Sequence, residues 1–315
     1  MAATTGIRTS ATSAAVERAL TGQSRPIGEW MFQGLLFLSL IVALGVLGWL
    51  LSDVFIRSIP VWEQRGVVSF VTSNLSSDPT KAGIAQGIFG SVMLMGIVIG
   101  LTIPIGVSAA IYLEEYAADN WLTRFLNTTV RNLAGVPAVV YGLLGLGVFV
   151  AAMKTSTSSG LNLLTGGLTL SLVVLPIVII TAAEALRSVP RAIREAGFGV
   201  GATKWEVVRS HVLPYAAPGI FTGIILTIAR AIGETAPLLL VGAAVAGFGQ
   251  AASAGVVDKI LGPYTALPTT IFSWARLPQS EFRALTAAAI VVLLVVVLLI
   301  NAIAIILRNR YERRW

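Results

Sequence analysis

The chain alternates long apolar stretches with shorter segments that carry its charged residues. A bilayer core of about 30 Å needs roughly 20 apolar residues in a helix, and most of these stretches reach that length. The pattern predicts an all-α, polytopic membrane protein with six transmembrane helices. The predicted spans are residues 31–51, about 85–113, 132–153, about 165–184, about 216–246 and 284–307. Four prolines inside the spans are predicted to kink or break their helices, namely Pro104, Pro137, Pro176 and Pro237.

The segments outside the spans are hydrophilic or rich in glycine and proline. Residues 1–29 contain many Ala, Thr and Ser residues and predict a disordered tail. This tail has no pattern of a cleaved signal peptide, so the first span is expected to remain as an anchor. The remaining predicted divisions are a transmembrane domain at 30–310, outer connections at 53–82 and 247–282, a basic loop at 187–213 and a basic tail at 311–315.

The composition narrows the possible chemistry. Hydrophobic residues make up 56% of the chain and charged residues 12%, unlike a soluble domain. The absence of cysteine excludes disulfides, Cys-ligated zinc and thiol catalysis. The single histidine, His211, makes a His-rich metal centre improbable, so we expect no cofactor and no metal. An embedded enzyme would need a nucleophile, base or metal cluster that this composition hardly provides.

The distribution of basic residues predicts the orientation. With both termini in the cytoplasm, 14 of the 22 Lys and Arg residues lie in inner segments and 7 in outer ones, with Arg230 inside a span. This bias favours cytoplasmic termini. Because the basic residues gather at span ends, the net charge of +7 indicates membrane lipid and not nucleic acid as the partner.

The basic loop at 187–213 has the local signals of two short helices. Pro190 suits the first turn of one helix, and the GFGVGA run ends it. Thr203 and Glu206 form a capping box for the second helix, and Trp205 is expected on its apolar face. The loop is either a docking surface for a partner or a basic loop held at the lipid headgroups.

Arg230 and Glu234 are charged residues inside the fifth predicted span. Four positions apart, they share one helical face. They are either a mutual ion pair or an anion site, since a charge at membrane depth usually marks a functional position. A guanidinium suits phosphate or carboxylate. Glu234 would accept a hydrogen bond from protonated phosphate and repel sulfate, which carries no proton at neutral pH.

The loop resembles the EAA loop of ABC-importer permeases, in which E-A-A-x-x-x-G is followed nine residues later by I-x-L-P. Two positions depart from the motif, with Gly197 at the second Ala and His211 at the Ile. The resemblance implies that the short helix sits in a groove of a cytoplasmic ATPase. The matching residues, and thus the implied ATPase-coupling residues, are Glu195, Ala196, Gly201, Leu213 and Pro214.

Three further stretches resemble the PstA family of permeases in phosphate importers. They are ARAIGETAPLLLVG, IPIGVSAAIYLEEYA and LAGVPAVVYGLLGLGVFV. The sister family PstC shares G-E-T but usually lacks the following A-P-L-L, so PstA is preferred. The resemblance implies that Arg230 and Glu234 face the phosphate path. Arg187 either guides the anion out or is a snorkelling arginine at the inner end of the fourth span.

The resemblance also implies the type I ABC-importer fold, a bacterial inner membrane location and a set of partners. These are a PstC-like second permease, a dimeric PstB-like ATPase, a PstS-like extracytoplasmic binding protein and inorganic phosphate. The chain contains no G-x-x-x-x-G-K-[ST] motif, so ATP hydrolysis would belong to the partner. The alternative is a stand-alone secondary transporter or channel for an oxyanion, which should show two matched halves. No second half is evident.

Overall fold

The computed structural model describes residues 27–155, 157, 159–243 and 260–312, and within these ranges it contains helices and no strand. The all-α prediction is therefore confirmed. Turns of wider, π-type helix extend three of the helices, at Tyr112–Tyr116, Leu146–Val150 and Val208–Val212. The helices are α1 (Ile27–Arg65), α2 (Val67–Thr72), α3 (Ala85–Ile111), α4 (Trp121–Ala134), α5 (Ala138–Gly145, continuing to Met153), α6 (Leu163–Arg187), α7 (Arg191–Gly199), α8 (Lys204–Val207), α9 (Leu213–Gly233), α10 (Ala236–Leu240), α11 (Leu267–Ala275) and α12 (Glu281–Glu312).

Five helical segments of the described chain are long and apolar enough to cross a membrane. A sixth crossing results if α4 and α5, which meet at a bend of 100°, are counted as one span. The six predicted spans thus have counterparts in the structure. The five segments are Gly28–Arg65, Ala85–Tyr116, Leu163–Arg187, Lys204–Gly233 and Glu281–Arg310.

The third predicted span, residues 132–153, was wrong about where its helix begins. The structure has a 14-residue amphipathic helix, α4, before the bend, and α5 starts only after Pro137. Proline lacks an N–H and disfavours a helical conformation at the preceding residue, so the helix breaks there. The Tyr141 hydroxyl donates to the Leu133 carbonyl at 2.8 Å and bridges the bend.

The fifth predicted span, residues 216–246, is broken near Pro237, as that proline predicted. Helix α9 ends at Gly233, Glu234 has an extended backbone with ψ of 115°, and the short α10 follows. Pro237 stands at the start of α10, and it has no N–H to bond the carbonyl of Gly233 four residues before it, which favours the break. The last residues of the predicted span, 244–246, lie outside the described residues.

The chain divides into two compact units after Ile56. In the first, α1 begins at Ile27, inside the predicted tail, and the rest of that tail lies outside the described residues. Within this unit the large apolar side chains of α1 from Trp30 to Leu51 are exposed. Such a surface suits lipid, since a helix that is apolar all round belongs in a membrane or a core.

The core of the second unit is built by α3, α6 and α9, which pack closely through small residues. Gly106 of α3 lies against Val178, and Gly223 of α9 lies against Thr181. Glycine lets helix backbones approach closely, which suits helix packing in membranes. The connection before α12 also enters this core, where the Leu267 amide donates to the Ser91 hydroxyl at 2.9 Å.

Candidate functional site

Arg230 and Glu234 lie at the point where α9 breaks. The Arg230 Nε donates to a Glu234 carboxylate oxygen at 3.2 Å, and the other guanidinium nitrogens make no hydrogen bond to a described residue. The Arg230 side chain is 60% exposed, whereas that of Glu234 is 18% exposed. With respect to the described residues, the arginine therefore keeps donors available for an anion while it pairs with Glu234.

The depth of Arg230 follows from the helix packing. Gly219 faces Ala185 and Gly223 faces Thr181, so α9 runs antiparallel to α6. Arg230 is seven residues beyond Gly223, or about 10 Å along the axis, level with the middle of α6. An exposed guanidinium at this depth requires water, an anion or another protein surface beside it.

Arg187 is far from Arg230 and has a partner of its own. It ends α6, level with the start of α9, and α9 must rise about 20 Å from there to reach Arg230. The Arg187 guanidinium makes a bidentate pair with Glu114, including a 2.8 Å bond from Nε. The structure thus does not bring Arg187 and Arg230 into one site.

The 187–213 loop has the predicted helix–turn–helix form. Helix α7 follows Pro190, and Gly201 turns the chain with φ of 84°, a conformation that glycine adopts without strain. Thr203 and Glu206 form the predicted capping box at the start of α8, with the Thr203 amide donating to the Glu206 carboxylate at 2.8 Å. Leu213 and Pro214 open α9, so the loop leads directly into the helix that carries Arg230.

The loop buries one face and exposes the other. The buried face contains Gly197, Val207 and Val208, whereas Glu195 and Ala196 are exposed. Of the residues predicted to share one face with Trp205, Val208 and Val212 are buried, whereas the Trp205 side chain is 58% exposed. Large apolar side chains thus join the exposed face, namely Phe198, Val200 and Trp205.

Gly197 departs from the EAA motif for a reason visible in the packing. A Cβ added at Gly197 would lie 2.7 Å from a methyl carbon of Val207. Because Val207 is buried and β-branched, it has little freedom to move. The two short helices therefore approach at this position more closely than an alanine would allow.

Arg194 joins the loop to two spanning helices, which the sequence did not reveal. Its Nη2 donates to Glu115 at 2.6 Å and to the Leu186 carbonyl at 3.0 Å, and its Nη1 donates to the Val189 carbonyl at 2.8 Å. Glu115 lies in the turn that extends α3, and its side chain is only 7% exposed. Arg194 and Glu115 are 79 residues apart, so no local pattern indicates the contact.

A cavity of about 430 Å³ opens where the loop meets the end of α3. Its charged lining combines the two ion pairs with two more cationic groups, Arg191 and Lys204. The Lys204 ammonium lies 5.3 Å from the centre of the Tyr116 ring, a further link between loop and α3. Among the described residues, no cluster of His, Cys, Asp and Glu could hold a metal ion.

Together, the fold and the site define the chain as a multi-pass helical permease. Residues 102–315 match the family model described as binding-protein-dependent transport system inner membrane component. The chain belongs to this family, whose members are permeases and not themselves catalytic.

Similar proteins agree with this assignment. The chain is 31% identical over 278 residues to the phosphate transport system permease protein PstA 1 of Mycobacterium tuberculosis, covering 88% of each chain. It is 35% identical over 170 residues to the probable ABC transporter permease protein YqgI of Bacillus subtilis, covering 54% of this chain and 56% of that relative. The match thus spans about half of the Bacillus protein.

Solved structures show the same fold. A chain of a bacterial alginate ABC transporter, crystallised in complex with an alginate pentasaccharide-bound periplasmic protein, superposes with a TM-score of 0.62. The superposition covers 90% of this chain and 96% of that chain, at 15% sequence identity. The predicted type I ABC-importer permease fold is confirmed.

Proposed function

We propose that the chain is a permease subunit of an ATP-driven importer of inorganic phosphate. It would form the translocation path with a second, PstC-like permease. Support comes from the relatives named as phosphate transport permeases and from the guanidinium at the break of α9. The chain would reside in a bacterial inner membrane with both termini in the cytoplasm, as the distribution of basic residues favours.

The geometry of Arg230 and Glu234 is the observation that carries the proposal. A guanidinium that bonds Glu234 only through Nε has its Nη donors left for phosphate oxygens. Glu234 lies close enough to accept a hydrogen bond from a phosphate hydroxyl. Sulfate offers no such proton and would meet a carboxylate that repels it.

The exposed face of the 187–213 loop is the proposed contact with a dimeric, PstB-like ATPase. Phe198, Val200 and Trp205 give this face exposed apolar area, and Glu195 lies beside them. Exposed aromatic and apolar clusters of this kind are common in protein interfaces. A PstS-like protein would deliver phosphate from outside. Arg187, paired with Glu114, would act as a structural cation at the inner surface and not as a phosphate ligand.

A stand-alone secondary transporter or channel is the alternative, and the family membership argues against it. The two readings differ in their energy source. A stand-alone carrier would move phosphate in vesicles without ATP and without an ATPase subunit, whereas the proposed permease would not.

The test is phosphate uptake by the reconstituted complex carrying Arg230→Ala or Arg230→Lys, with assembly and ATPase activity measured in parallel. Removing a charged hydrogen-bond partner costs about 1.5–3 kcal/mol, which predicts an uptake loss of roughly tenfold or more for Arg230→Ala. Arg230→Lys should recover part of it, because the charge remains but the planar fork is lost.

Arg276→Gln is a matched control, since Arg276 is an exposed arginine beside Phe272 and distant in sequence from the proposed path. It should leave uptake unchanged. Normal uptake by Arg230→Ala would contradict the anion role. Failed assembly of Arg230→Ala would instead assign Arg230 to structure.

A further inference from the structure

Helix α4 has three faces, and its half-buried face is directed at the rest of the described chain. α4 packs mainly against α6. The half-buried stripe repeats at helical spacing, which identifies it as the packing face. It consists of Thr123, Asn127, Val130 and Ala134; Thr129 is also half-buried but lies on the side of Phe125 and Leu133.

The two remaining faces of α4 are exposed and differ in character. One is apolar, with Trp121, Leu122, Phe125, Leu126 and Leu133. The other is polar and cationic, with Arg124, Thr128, Arg131 and Asn132. Neither Arg124 nor Arg131 donates a hydrogen bond to any residue in the described ranges. One surface is thus suited to lipid and the other to water or an anion.

The end of α4 lies deep in the membrane domain. Val136 and Ala138, on either side of Pro137, pack against the cluster that contains Val98, Val174 and Ala231. Val98 and Val174 stand near the middle of α3 and α6, and Ala231 is the neighbour of Arg230. Just after the bend, Gly142 of α5 lies against Pro237 and Gly145 lies against Thr169 of α6, which places the bend between α4 and α5 near the depth of Arg230. The break between α4 and α5 and the break between α9 and α10 thus lie at a similar depth in the domain.

The start of α4 lies on the side of the 187–213 loop. It follows the turn at Tyr112–Tyr116, whose last residue lies beside Lys204 of that loop. With 14 residues, α4 is about 21 Å long and leads from this side to the bend. Arg131, one turn before the end of α4, lies about 5 Å along the helix from the bend.

We propose that the polar face of α4 lines the part of the anion path between Arg230 and the 187–213 loop. In this proposal Arg131 is a second anion-binding residue. The proposal rests on the proposed function, in which phosphate first binds at Arg230. An arginine at this depth is strongly unfavourable in lipid, so its face meets water, a charged ligand or another protein surface, and a water-filled anion path supplies the first two. The apolar face of α4 accounts for the lipid contact.

Two successive cationic sites suit transport better than one. An ion in a path must bind favourably enough to enter and weakly enough to leave, which a series of sites achieves. Phosphate released from Arg230 would pass Arg131 and then Arg124, about two turns further along α4. The side chains of Thr128 and Asn132 would supply polar lining between them.

The test uses the absence of cysteine from the chain, because each introduced cysteine is then unique in this subunit. Thr128→Cys samples the polar face and Leu126→Cys the apolar face. The complete complex in inverted vesicles is treated with an anionic, water-soluble methanethiosulfonate, with and without saturating phosphate. Labelling is read on this subunit alone. Uptake by Arg131→Gln and Arg131→Lys is measured in parallel, with Arg310→Gln as the exposed control.

We expect Thr128→Cys to react much faster than Leu126→Cys and phosphate to slow the reaction. Arg131→Gln should lower uptake roughly tenfold while ATPase activity remains, with Arg131→Lys intermediate. Fast labelling without protection by phosphate would overturn the proposal, because the face would then meet water outside the path. No labelling at Thr128→Cys would also overturn it and indicate a covering permease. Failure of the proposed function itself would appear as absent phosphate uptake by the unmodified complex.

Discussion

Replacement of Arg194 by alanine should uncouple the 187–213 loop from the membrane helices. The change removes the ion pair with Glu115 and the two bonds to the Leu186 and Val189 carbonyls. It leaves Glu115, 7% exposed, without its partner. Breaking a buried ion pair costs about 3–5 kcal/mol. The Arg194 side chain is 21% exposed, so a partly solvated pair should lose about 2–4 kcal/mol.

The assay compares phosphate uptake per ATP hydrolysed in proteoliposomes, together with the Tm of the purified complex. Arg194→Ala should lower the ratio, because the loop can then move without carrying α3 and α6 with it. Arg187→Ala is the matched control. Its pair with Glu114 is more exposed, with 44% of the Arg187 side chain accessible, and should contribute only about 0–1 kcal/mol.

Two results would refute this reasoning. An unchanged ratio and Tm in Arg194→Ala would show that the contact carries neither stability nor motion. Equal losses in Arg194→Ala and Arg187→Ala would show that burial does not distinguish the two pairs. A double replacement, Arg194→Met with Glu115→Met, should restore the Tm more fully than the ratio of phosphate uptake to ATP hydrolysis. Apolar side chains of similar size often restore stability at the site of a buried ion pair.

Two further predictions concern the anion site and the loop. Glu234→Gln should let sulfate compete with phosphate uptake, because the amide no longer repels a fully ionised oxyanion. Uptake assays with and without sulfate check this prediction. Unchanged selectivity would mean that Glu234 serves only as the ion-pair partner of Arg230. Thr203→Ala should lower the stability of the loop by about 0.5–2 kcal/mol through loss of the cap on α8. Hydrogen exchange at the amides of α8 reports the second effect, with Thr72→Ala, an exposed threonine at the end of α2, as control.

The sequence predicted the parts of the fold that depend on local composition. Uncharged stretches of sufficient length identified the spans, and the capping box at Thr203 and Glu206 identified α8. The interruption of the third span at Pro137 was predicted, but the amphipathic helix α4 that precedes it was not. The apolar residues Trp121, Leu122, Phe125 and Leu126 repeat with a helical period and could have revealed α4.

The contacts around the site were less predictable, because they join distant parts of the chain. Arg230 and Glu234 are close in sequence, and their pairing was among the stated alternatives. Glu115 and Arg194 meet only because α3 and α6 run parallel and end at the same side. Glu114 and Glu115 stand at the end of a helix, and nothing in the sequence shows whether such residues bind a distant arginine or face solvent.

Gly197→Ala restores the alanine of the EAA motif and should nevertheless destabilise this chain. The new methyl group would lie 2.7 Å from a Val207 methyl carbon, and overpacking of this kind costs about 1–3 kcal/mol. The gain in helix propensity, about 1 kcal/mol, offsets only part of that. At Gly199 nothing lies within 4 Å of an added Cβ, so Gly199→Ala should raise Tm or leave it unchanged.

The double variant Gly197→Ala with Val207→Ala separates packing from other effects. Shortening Val207 leaves room for the new methyl group, so the combined loss in Tm should be smaller than the sum of the single losses. Additive losses would mean that the two positions do not contact each other. In that case the close approach of α7 and α8 would not explain the glycine. A non-additive result would show that the glycine at position 197 and the valine at position 207 depend on each other. The Val207 side chain would then occupy the space that the methyl group of the motif's second alanine would take.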